Sequence, residues 1–110
     1  MIKLRPDVRM GGIQPETVFA LMMVNEWCKD KGWDLWIFSI TEGKHSPGSP
    51  HYIGHAFDFW PDQIEQDVFT FGHATVKTLK TLLGQDFDVT FEDKPLHIHV
   101  EFQPKSPMNG

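Results

Sequence analysis

Apolar and polar positions change their period several times along the chain, and each change predicts an element. Residues 1–14 lack a sustained period, and Pro6 with the Gly11-Gly12 pair makes them an extended or looped lead-in. From Pro15, Val18, Leu21 and Met22 recur at helical spacing. Pro15 suits a first helical position, Glu16 its positive end, and Lys31-Gly32 the left-handed stop. Leu35 to Ile40 is short, aromatic and β-branched, which predicts a largely buried strand, and Thr41 to Pro50 reads as loop. Ile53 to Trp60 predicts a second strand, with Ala56, Asp58 and Trp60 on one face and Phe57 and Phe59 on the other. Pro61-Asp62 closes it.

Residues 63–83 read as helical, with Val76, Leu79 and Leu83 as the buried stripe, Gly84 as the cap and Gly72 as a point of weakness. Phe87 to Phe91 and His97 to Phe102 alternate, and Glu92-Asp93-Lys94-Pro95 between them is turn chemistry, so a β-hairpin is expected. On its second strand Ile98, Val100 and Phe102 face the core. That forces His97, His99 and Glu101 onto the other face. Residues 105–110 form a Pro/Ser/Gly tail expected to fray. The elements predict an α+β fold, a small antiparallel sheet with two main helices, in one domain spanning 1–110.

The formal charge of -5, with no concentration of Lys or Arg on one segment, argues against a nucleic-acid partner. No window approaches the ~18 apolar residues of a membrane span, and MIKLRPDVRM has no apolar export core. The expectation is a monomer that does not insert into membranes. Cys28 is the one cysteine, so neither an internal disulfide nor a thiolate metal site is available, and its place beside Trp27 marks it as a small core residue.

Chemistry concentrates in residues 44–60, KHSPGSPHYIGHAFDFW, and in the distant pair His97 and His99. His45, His51, His55 and Asp58 lie in the first stretch. Asp58 interrupts an apolar strand, and such a carboxylate is costly to bury unless paired or metal-bound. Imidazole nitrogens and carboxylate oxygens suit zinc, whose catalytic sites keep three protein ligands and one open position. The candidate ligands are His51, Asp58 and His99, with His45, His55 and His97 as neighbours. Gly54 fits a bend between His51 and Asp58. His97 and His99 share a strand face with Cα atoms ~7 Å apart, so one can ligate while the other reaches water or substrate. His73 reads as a helix-face histidine, and Trp60 as a residue either lining the cleft or packing.

SPHYIGHAFD, residues 49–58, resembles the S-x-H-x-x-G-x-A-x-D signature of the zinc D-alanyl-D-alanine carboxypeptidases, which share a fold with the murein endopeptidases of the HxH type and the hedgehog signalling domain. LHIHVEF, residues 96–102, is similar to the closing strand that supplies their third ligand. The resemblance covers about half of the chain. It implies a hedgehog/DD-peptidase-like fold, a zinc cofactor held by His51, Asp58 and His99, and Ser49, Gly54 and Ala56 at the other fixed positions. It further implies a metallopeptidase whose zinc-bound water cleaves peptide bonds of bacterial peptidoglycan. His45 matches a histidine lying beside the metal in the hedgehog branch.

The carboxypeptidase branch carries its general base as Glu in an E-x-x-H arrangement, where this chain has Leu96. The resemblance therefore shifts the base or oxyanion-polarising role to His97, with Asp93 placed to orient His97 or the water and His45 to support the tetrahedral intermediate. The arginine that grips a substrate carboxylate in carboxypeptidases has no counterpart after Ile40, and the Lys44 ammonium lacks its bidentate fork, which favours endopeptidase over carboxypeptidase cleavage. Cytoplasmic synthesis with release at lysis, or carriage in a virion, as for an endolysin, is the matching localisation. Two other readings stand beside this one. The missing glutamate allows a non-hydrolytic zinc-binding recognition module of the same fold. A two-His-one-carboxylate iron(II) oxygenase is disfavoured, because six residues separate His51 from Asp58 where such sites use H-x-D.

Overall fold

The computed structural model describes residues 2–8, 11–40, 54–62, 64, 66–93 and 96–105. In chain order these are β1 (Ile2–Leu4), α1 (Pro15–Asp30), β2 (Leu35–Ser39), β3 (Ala56–Pro61), α2 (Val68–Leu83), β4 (Phe87–Asp93) and β5 (Leu96–Phe102). The strands form one sheet in the order β1-β2-β3-β5-β4. The architecture is α+β, but the sheet is mixed rather than antiparallel: the lead-in contributes β1, which pairs parallel with β2 through Ile2↔Leu35 and Leu4↔Ile37. Three residues without a period are too short to announce a strand. The remaining pairs are antiparallel.

Both helices begin and end for local reasons. Pro15 opens α1, Glu16 lies in its first turn, and the chain leaves it through Gly32 at φ 78°. Its buried stripe is Thr17, Ala20, Leu21, Val24 and Cys28, while Met22, also at helical spacing, is 61% exposed. Burial in this stripe pushes the Cys28 thiol up to about 12, as befits an inert core sulfur. The second helix starts at Val68 rather than 63 because Asp67 caps it, accepting from the Thr70 backbone N–H at 3.0 Å. Gly72 does not divide it. A Cβ at this position would meet the Phe91 ring at 2.6 Å, so glycine lets β4 approach the helix.

Along β3 and β5 the pleat alternates between the helices and the outer face. Phe57, Phe59, Ile98 and Val100 turn inward and join Leu35, Ile37, Leu79, Val89 and the α1 stripe in the core. Trp60, expected to share the Asp58 face, stacks instead against Phe91 at 5.8 Å and meets Phe71 edge-on at 5.3 Å. It is a packing residue. Gly54, at φ 74°, is pinned where its carbonyl accepts from the Gln14 N–H at 3.1 Å and its Cα faces the Gly12 backbone too closely for any side chain. The start of β3 is thereby tied to the start of α1.

The tight Gly72–Phe91 contact sets a test. Gly72→Ala should cost about 1–3 kcal/mol in urea unfolding, because the added methyl overlaps a ring. Gly11→Ala, where an added Cβ meets open space, should stay within ~0.5 kcal/mol. Equal stabilities would refute this account of the helix–sheet contact.

Candidate metal centre

The outer face of the sheet carries the chemistry, and strand register assembles it. β3 and β5 pair as Ala56↔Glu101, Phe57↔Val100, Asp58↔His99 and Phe59↔Ile98. Asp58 and His99, 41 positions apart in sequence, are thus directly opposed. Their side chains meet with Nδ1 of His99 at 2.8 Å from Oδ1 of Asp58. On the other ring edge, Nε2 of His99 lies 3.0 Å from Oε1 of Glu101. The imidazole is held between two carboxylates.

Burial alone would pull the pKa of His99 down. The hydrogen bond and charge of Asp58, followed by those of Glu101, outweigh that and hold it above the ordinary histidine value. Asp58 itself is largely shielded, and its contact with the ring offsets the desolvation of its charge.

His97 stands two positions before His99 on the same face and is 8% exposed. Its Nε2 lies 4.0 Å from the same Asp58 Oδ1 and 3.5 Å from Oε2 of Glu92. The hairpin explains that partner. β4 runs on to Asp93, so Glu92 pairs with His97 and Asp93 with Leu96. Residues 92 and 93, expected in the turn, are ladder residues, and the pleat turns Glu92 rather than Asp93 toward His97.

On the far side of β3, a register shift between Ile37 and Ser39 brings Ser39 opposite Asp58. A cleft of about 450 Å3 opens beside these groups, lined by Arg5, Phe38, Ser39, Asp58, Leu96 and His97. Arg5 reaches it from the end of β1, with its Nε 3.0 Å from Asp7 Oδ1.

Of the expected site residues, the structure brings Asp58, His97 and His99 together. Asp93 is exposed and paired in register with Leu96. His45 and His51 lie outside the described residues, as does Ser49. His55 packs edge-on against Phe102 at 5.7 Å and His73 against Phe91 at 5.3 Å, both structural placements. Glu92 and Glu101 were missed as site residues. Glu101 had a signal, its alternation with His97 and His99; Glu92 had none before the hairpin register was known.

Among the described residues, no group of three or more His, Cys, Asp and Glu side chains is gathered to hold a metal ion. The donors present nonetheless fit zinc in kind: one carboxylate oxygen and one imidazole nitrogen converge, and the ring's other nitrogen is backed by a carboxylate. Compared with models of known protein families, with curated proteins and with solved structures, the chain matches none of them. No helix among the described residues is long and apolar enough to cross a membrane.

Replacing His51, Asp58 or His99 by Ala should leave the purified protein with well under one zinc per chain by mass-spectrometric metal analysis. Any variant that keeps a full equivalent is removed from the ligand set.

Proposed function

We propose that the chain is a zinc-dependent metallopeptidase that hydrolyses peptide bonds of bacterial peptidoglycan, cutting within the peptides rather than trimming their carboxyl ends. The observation that carries this reading is the meeting of Asp58 Oδ1 with His99 Nδ1 while His97 Nε2 stands 4.0 Å from the same oxygen, at the wall of a cleft. The similarity of residues 49–58 and 96–102 to the zinc carboxypeptidase and murein endopeptidase motifs supports it from the sequence side.

In this reading His51, Asp58 and His99 hold the ion. Zinc, when bound, supplies Lewis acidity that brings the pKa of water down to ~7 and polarises the scissile carbonyl. His97 would receive the proton of the attacking water at Nε2 and later return it to the leaving amine. Glu92 stands across the ladder to stabilise the imidazolium so formed and to orient the ring. Leu96 and Phe38 give the cleft apolar walls that exclude water beside the reacting bond. His45 remains a candidate to support the developing oxyanion, on the family resemblance alone. The orienting role first assigned to Asp93 passes to Glu92.

One observation keeps a second reading in view. Leu96 stands in the cleft where the carboxypeptidase branch carries its catalytic glutamate, which suits a zinc-bearing recognition module that binds cell-wall peptide without cleaving it.

Turnover separates the two. Incubated with purified peptidoglycan, the zinc-loaded protein should release peptides whose masses and new amino termini report an internal cut, and chelator should stop it. His97→Ala should keep its zinc and lose ~100-fold or more in rate. Undiminished turnover would reassign the base, and zinc binding without any release would favour the recognition module. Because a ligand held only by the native state stabilises it, chelation should also lower the melting temperature of the zinc-loaded protein, and an unchanged melting curve would speak against a bound ion.

A further inference from the structure

His99 and Glu101 of β5 and Gln103 just beyond its end occupy alternate positions, and hydrogen bonds join them into a line. Gln103 Nε2 donates to Glu101 Oε2 at 2.9 Å, Glu101 Oε1 faces His99 Nε2 at 3.0 Å, and His99 Nδ1 faces Asp58 at 2.8 Å. Both oxygens of Glu101 are thereby engaged, one by the ring and one by an amide that fixes the carboxylate plane. The neighbouring strands accommodate this. On one side Ala56 is the register partner of Glu101 and leaves room beside it. On the other side the partner is Asp88, a like charge directly opposite, which would ordinarily repel. Lys105 Nζ takes both Asp88 oxygens, at 3.0 and 3.1 Å, and relieves that repulsion.

We infer that Glu101, held by Gln103, is the positioning residue for His99: it keeps the proton on Nε2 and so presents Nδ1, the atom turned toward Asp58, as the lone-pair donor to a divalent cation. The inference rests on the zinc reading above and adds a residue to which neither the motif nor composition assigned a role. The chemistry follows from the ring. A neutral imidazole carries one N–H, and a carboxylate, which can only accept, selects the tautomer with that N–H on its own side. The acceptor also makes the other nitrogen more basic and locks the ring's orientation. Asp58 alone would do the reverse, drawing the proton to Nδ1 and spoiling it as a donor. The ring therefore sits between a carboxylate that shares the ion and one that holds the proton.

The test measures zinc affinity by competition with a chromophoric chelator, together with the tautomer of His99 from long-range 1H–15N correlations, first without metal and then with it. Glu101→Ala should weaken zinc binding ~10–100-fold and lose the Nε2–H signature, while Glu101→Gln, whose amide oxygen still accepts from Nε2–H, should recover most of both. Gln103→Ala should weaken binding in the same direction by a smaller factor. Should Glu101→Ala fail to fold, Glu101→Asp, one methylene short of the ring, takes its place with the same expected loss. Wild-type affinity and an unchanged imidazole spectrum in Glu101→Ala, or in Glu101→Asp where that replaces it, would overturn the inference and leave the zinc reading standing. A wild-type protein that takes up no zinc would overturn both.

Discussion

The antiparallel seam between β3 and β5 is the constraint on which the rest depends. It sets Asp58 against His99 on the outer face and Phe57 against Val100 and Phe59 against Ile98 on the inner one. The side-chain period of a strand is two, so a slip of one residue would exchange those faces. A slip of β5 would drive His97 and His99 into the core and expose Ile98 and Val100, and a slip of β3 would bury Asp58 and expose Phe57 and Phe59. Burying two large phenylalanines and two β-branched residues thus specifies, at no separate cost, where the carboxylate and imidazoles stand. The site is a by-product of core registry.

Electrostatics completes what packing begins. Three carboxylates, Asp58, Glu92 and Glu101, surround two histidines on the outer face, and each ring finds acidic partners. Such a concentration of acid on a chain already at -5 favours positive charge there, which protonation of His99 would supply and which the proposed zinc would supply in its place. Lys105 on Asp88 removes one further negative charge from the neighbourhood. The contacts on the exposed rim, such as Arg5–Asp7 and Lys3–Asp34, contribute little by comparison.

Much of this could be read before any coordinates, and the gaps have physical causes. The alternation of residues 97–102 placed His97, His99 and Glu101 on one face and Ile98 and Val100 on the other, because strand period is a local property. Gly32 and Gly54 announced their positive φ for the same reason. The parallel pairing of β1 was invisible, since three residues gain their strand character only from β2. Met22 kept helical spacing in the sequence but lies outside the buried stripe, which runs through Thr17, Ala20, Leu21, Val24 and Cys28. Asp93 was a candidate beside His97 on the family resemblance, and the ladder places Glu92 there instead. Strand ends and hairpin register are fixed by the whole ladder, and its two further pairs set Glu92 opposite His97 and Asp93 opposite Leu96. Glu101 was seen on the correct face, but its contact with His99 depends on how Asp58, across the seam, orients that ring.

The central claim, that Asp58 and His99 share one zinc with a further imidazole, is tested most directly by X-ray absorption at the zinc edge of the purified, zinc-loaded protein. The account predicts a first shell of nitrogen and oxygen alone at ~2.0–2.2 Å with the outer-shell pattern of two imidazoles. A sulfur shell at ~2.3 Å, or a spectrum of hydrated zinc without imidazole scattering, would contradict it.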